Sequence, residues 1–193
     1  MPRAEARGAR LLSDGGEPRN WMLLLTALVG WHADRWTGLA WGLVAAVFTA
    51  VVPTLILRLG EHRRSWGDRH VRRRRDRIAA APAVMASVVT GTVLLYALDA
   101  PAAVAMLVTA MVAVLFALLL VTFFWKVSVH SAVASGAVAV LAAVFGLWVL
   151  LLTPLVAAIG WSRVRLRCHT VGQVVVGTAI GATVGTAACT LLG

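Results

Sequence analysis

The chain has 193 residues, 60% of them hydrophobic, and a mean hydropathy of +0.85. Those values exclude a water-soluble domain and place it with polytopic membrane proteins. Its net charge of +10 falls in the N-terminal segment and two inter-helix segments, not on a soluble aromatic-bearing surface. Nucleic acid is therefore not an expected partner, and anionic lipid headgroups or phosphorylated ligands are.

In chain order, residues 1–20 carry Arg3, Arg7, Arg10 and Arg19 with Gly15, Gly16 and Pro18, and read as a disordered basic tail. Trp21 to Trp31 is apolar but about half the ~20 residues that cross a bilayer, so it reads as a short interfacial or re-entrant helix. Gly38 to Leu59 is long enough to span, with a kink expected at Pro53. The Arg-rich stretch up to Arg77 follows, then spans over Ala79 to Leu98 and Ala102 to Phe124 joined by a turn at Asp99-Ala100-Pro101. A two-helix hairpin crosses and returns, so the Arg-rich stretch and Lys126 fall on one face.

Ser131 to Trp161 exceeds one span and falls short of two. One crossing would put His130 and His169 on opposite faces. Two short crossings, broken near Gly146 and kinked at Pro154, would put them together. Thr170 to Leu192 is the last span, with Gly177, Gly181 and Gly185 as a packing stripe. Trp66, Trp125 and Trp161 read as an interfacial belt. The fold class is all-α: a polytopic helix bundle of about six transmembrane helices plus the short N-terminal helix, with 21–193 as one domain. Cys168 and Cys189 have neither disulfide-framework nor metal-site spacing, and no metal or cofactor is expected.

Two stretches carry chemistry: Trp125-Lys126-Val127-Ser128-Val129-His130-Ser131 and Ser162-Arg163-Val164-Arg165-Leu166-Arg167-Cys168-His169. They set the chain's sole lysine, serines, arginines and two histidines at the mouths of apolar helices. Helix openings offer unpaired N–H groups and a positive dipole end to an anion. Arginine grips two oxygens at once, and histidine can transfer a proton or attack phosphorus near neutral pH. No acidic residue lies between Asp99 and the C-terminus, so Lys126 lacks a carboxylate from that part of the chain.

At these residues the chain resembles the type 2 phosphatidic acid phosphatase superfamily, membrane lipid phosphatases related to vanadium haloperoxidases. Their second motif, Pro-Ser-Gly-His, is similar to Val127-Ser128-Val129-His130. Their third, Ser-Arg, five residues, His, three residues, Asp, is similar to Ser162-Arg163, His169 and Gln173. Their first, Lys, six residues, Arg-Pro, falls on the Arg-rich run, with Arg77 for its arginine and His70 or Arg69 near the lysine position. The resemblance covers roughly Gly60 to Gly185 and implies two crossings between Ser131 and Trp161. It implies a metal-independent hydrolase acting on a lipid phosphate or polyprenyl (di)phosphate in the plasma (inner) membrane. His169 would be the nucleophile, His130 the general acid and Gln173 the group orienting His169. Lys126, Ser128, Val129, Arg163 and Arg77 would bind phosphate, with Lys126 supplying the charge that the first motif lacks. Positive-inside bias favours a cytoplasmic site. The alternative is a non-catalytic relative that binds or helps move phosphorylated lipids; a structural subunit would leave Lys126 and His130 unexplained.

Overall fold

A computed structural model describes the backbone of residues 3–64 and 75–192; the side chains of residues 61–79 and of the extreme termini (1–4, 6, 192 and 193) are outside that description. Every described element is helical: α1 Arg3–Gly15, α2 Pro18–Ala46, α3 Val52–Arg64, α4 Arg75–Ala97, α5 Ala102–Phe124, α6 Val129–Phe145, α7 Thr153–Arg165 and α8 Val171–Leu192. A π turn, Val47–Val51, joins α2 to α3, and a 3₁₀ turn, Leu147–Leu152, joins α6 to α7. Five segments are long and apolar enough to cross a membrane. Many of their large side chains face outward, among them Val93, Phe116, Leu120 and Leu151, as an apolar solvent requires.

The expected disordered tail is instead α1 and the start of α2. Gly15 and Gly16 end α1, and Pro18 opens α2, where its missing N–H costs nothing. Asn20 Nδ2 donates to the carbonyls of Asp14 and Gly15 at 3.1 and 3.2 Å, closing the junction.

The first apolar stretch also differs from expectation. Within α2, Asp34 and Arg35 leave helical geometry and the chain reverses, so residues 18–33 and 36–46 form an antiparallel hairpin. The reversal depends on bare backbone, since a Cβ on Gly30 or Gly38 would strike the other's carbonyl, and one on Gly42 the carbonyl of Thr26. His32 packs on Phe145, at the far end of α6, with ring centroids 4.7 Å apart. The first arm therefore reaches the far end of α6, against the interfacial reading of this stretch and not against the re-entrant one.

Pro53 does not simply kink its helix. It has no N–H for the acceptor in the π register, Phe48, and Ser87 Oγ on α4 donates to that carbonyl at 2.8 Å instead. The break at Gly146 is where the sequence placed it, with φ of +100°, whereas Pro154 sits in the first turn of α7 and kinks nothing.

α6 is the central helix. Its 17 residues rise about 25 Å, and most are buried. It packs chiefly on α8, where Gly181 lies under the carbonyl of Ala132 and Gly177 under that of Ser128, while Ser135 Oγ donates to the Thr178 carbonyl at 2.9 Å. Helix direction then decides the position of the site: α5 and α7 end, and α6 and α8 begin, at the same end of the bundle.

Candidate functional site at one end of the bundle

The site begins with how α7 stops. Leu166 caps the helix and Arg167 takes a left-handed φ of +54°. The Arg167 N–H donates to the Val164 carbonyl at 2.9 Å and the Cys168 N–H to the Arg163 carbonyl at 3.0 Å, a Schellman turn. His169 N–H reaches the same Arg163 carbonyl at 3.2 Å. The five residues between Arg163 and His169 are thus one helix end folded back on itself, which brings the two motif residues together.

Two bonds tie this turn and the start of α8 to the earlier stretch. Lys126 Nζ donates to the Cys168 carbonyl at 2.5 Å, and Ser128 N–H donates to the Gln173 carbonyl at 3.1 Å. His130, in the first turn of α6, lies within direct electrostatic reach of both Arg163 and His169. His130, Arg163, His169 and Lys126, far apart in sequence, meet at one end of the bundle. Trp125 and Trp161 stand half-exposed at its rim, where Trp125 packs 3.3 Å from where a Cβ on Gly172 would lie.

Three expected site residues lie at the helix starts of this end of the bundle. Ser128 is fully buried; its Oγ accepts from the Ser131 N–H at 3.4 Å and pairs with Ser131 Oγ at 2.9 Å, so it caps α6. Gln173, expected to orient His169, accepts from the Thr170 N–H through Oε1 at 3.2 Å, while its own N–H donates to Thr170 Oγ1 at 3.3 Å. Those reciprocal bonds are a capping box that starts α8. Val129 contributes backbone: it is the first residue of α6, and its amide and that of His130 have no cap among the described residues. His70, Arg69 and the side chain of Arg77 lie outside the described residues.

Arg163 is the best-defined cation of the site. Its Nη1 donates to Ser13 Oγ at 2.6 Å, and its Nε is buried without a hydrogen-bond partner among the described residues. No carboxylate pairs with it among those residues, whereas the neighbouring Arg165 pairs with Glu5 and stacks on Trp161 at 5.9 Å. Compared with known proteins, the chain matches no family model, no curated protein and no solved structure. A cation with one buried N–H unpaired beside two histidines is chemically incomplete, since an unmade bond at a buried donor costs about 1–3 kcal/mol. An oxyanion would complete it. Among the described residues no group of three His, Cys, Asp or Glu side chains could hold a metal. Ser13 escaped the sequence reading, although Arg3, Arg7, Arg10 and Asp14 recur at helical spacing and mark Ala9 and Ser13 as an inward face.

Proposed function

We propose that the protein is an integral-membrane phosphatase that removes phosphate from a lipid phosphate or polyprenyl (di)phosphate through a phosphohistidine intermediate. The observation that carries this reading is the convergence of His130, Arg163 and His169, with Arg163 lacking a carboxylate partner among the described residues. The resemblance of the same residues to the type 2 phosphatidic acid phosphatases supports it independently. Arg163 grips two phosphoryl oxygens and neutralises charge that grows on them as the bond to the leaving oxygen lengthens. A ring nitrogen of His169 attacks phosphorus, the P–O bond to the lipid breaks, and His130 gives its proton to the departing oxygen. Water then attacks the phosphohistidine, His130 takes its proton, and inorganic phosphate leaves with His169 neutral. The phosphoryl anion is the counter-charge that a protonated His130 needs between Arg163 and His169. We assign the protein to the plasma (inner) membrane with the site on the cytoplasmic face, by the positive-inside bias of its Arg-rich segment.

A second reading, a non-catalytic relative that binds or helps move phosphorylated lipids, is favoured by one observation. The side-chain amide oxygen of Gln173 belongs to a helix cap. Losing an orienting carboxylate costs about 10⁴ in rate in serine proteases. Release of inorganic phosphate from a panel of lipid phosphates by the purified protein in detergent separates the two. The phosphatase reading predicts release that His169→Ala abolishes; binding of the same lipids with no release in the parent establishes the second reading.

A further inference from the structure

We infer that Ser13, on the N-terminal helix, is a positioning residue for Arg163, fixing which edge of its guanidinium meets the phosphoryl group. The inference rests on the phosphate reading of the site and extends it to a segment outside the motif stretches.

α1 is seated firmly. Ala9 is fully buried and Ser13 is 4% exposed on the face of α1 that packs on α7, and just past the end of α1 a Cβ on Gly16 would meet Ile159 Cγ1 at 2.8 Å. Glu5 pairs with Arg165 two turns away, while Arg7 and Arg10 face outward. This face of α1 delivers a hydroxyl to Arg163, which no carboxylate pairs with among the described residues.

The geometry assigns that hydroxyl a specific task. A guanidinium carries five N–H donors in a rigid plane, and a two-oxygen grip needs two parallel donors on one edge. Ser13 Oγ accepts from Nη1, the nitrogen that can complete only the end-on edge. The side edge, Nε with Nη2, is left for the ligand, and Nε is the donor that is buried and unsatisfied. Without the serine, Arg163 could rotate about its long side chain and present either edge. Preorganising one edge lowers the ordering cost of binding.

The test measures orthovanadate affinity of the full chain in detergent for the parent, Ser13→Ala and Glu5→Gln, together with modification of Arg163 by phenylglyoxal read by mass spectrometry. Ser13→Ala should weaken vanadate binding about tenfold, as expected for a hydrogen bond from a charged donor, and should speed Arg163 modification. Glu5→Gln breaks the ion pair between α1 and α7 and should change vanadate affinity less than about twofold, as expected for a partly exposed ion pair. Equal weakening in both variants would mean that only the seating of α1 matters, and would overturn the positioning role. Tighter binding in Ser13→Ala would make Ser13 a competitor of the ligand, also overturning it. Unchanged affinity with normal parent binding overturns this inference alone. A parent that binds no vanadate, even with Arg163 modification responding to Ser13→Ala, overturns the phosphate reading and this inference with it.

Discussion

Lys126→Met removes one ammonium while keeping the apolar length of the side chain, and its effect on the α7 turn can be worked from the contact made there. Lys126 Nζ holds the Cys168 carbonyl at 2.5 Å, in a partly buried setting, inside the turn that carries His169. A hydrogen bond to a charged group contributes about 1.5–3 kcal/mol, so its loss should favour local opening of the turn by roughly 10- to 150-fold. Cys168 supplies the assay. Its thiol is half-buried in the same turn, while Cys189, buried on α8, serves as an internal reference. Alkylation of Cys168 relative to Cys189, followed by mass spectrometry, should accelerate at least tenfold in Lys126→Met. If the lysine also meets the substrate phosphate, vanadate binding should weaken by about 2–4 kcal/mol, the range for a desolvated charge pair. Faster alkylation with unchanged vanadate affinity would leave Lys126 as a strut of the turn alone. An unchanged alkylation ratio would refute the reasoning that the lysine holds the turn at all.

Other substitutions test neighbouring parts of the account. Arg167→Gly should raise stability by about 0.5–1 kcal/mol, or about 2 °C in Tm, because glycine accepts the left-handed φ of +54° at no steric cost; a lower Tm would mean that the Arg167 side chain does more than occupy the turn. Gln173→Ala should cost about 1 kcal/mol and speed hydrogen exchange at the start of α8, with Gln173→Glu close to the parent. Loss of activity with unchanged exchange would return Gln173 to an orienting role at His169. Gly181→Ala should destabilise by about 1–3 kcal/mol, since its Cβ overlaps the Ala132 carbonyl, and Gly185→Ala, whose nearest neighbour is Gly136 Cα at 3.3 Å, should cost less. Equal unfolding midpoints for those two variants would contradict the α6–α8 packing described.

The helix bundle was legible because hydrocarbon solvent demands long apolar helices, whereas span length left one or two crossings open between Ser131 and Trp161, and it was the family resemblance that put His130 and His169 on one face. The break at Gly146 belonged to the two-crossing alternative that the resemblance favoured. What escaped the sequence reading was local hydrogen bonding. Thr170-x-x-Gln173 is a capping-box pattern, yet the spacing of Gln173 from His169 invited a catalytic reading of the same residue. Ser128 likewise pairs with Ser131 in the first turn of α6, a capping geometry that a motif match does not distinguish from phosphate contact. Gly15, Gly16 and Pro18 suggested disorder because they are turn residues, but between two helices they are the stop of one and the start of the next. The break between the apolar stretches ending at Trp31 and starting at Gly38 was visible, but the close pairing of the two arms was not, because Gly30, Gly38 and Gly42 act through their missing side chains, which hydropathy does not register.

The claim on which the rest depends is that His169, presented beside Arg163 and His130, takes the phosphoryl group. Rapid acid-free quenching of the purified protein with a radiolabelled lipid phosphate, followed by peptide mapping, tests it most directly. The account predicts a transient, acid-labile phosphoryl group on the peptide containing His169, absent from His169→Ala and longer-lived in His130→Ala, where water attack lacks its base. Phosphate release with no label on His169 at any time point, or label on another residue, would contradict it.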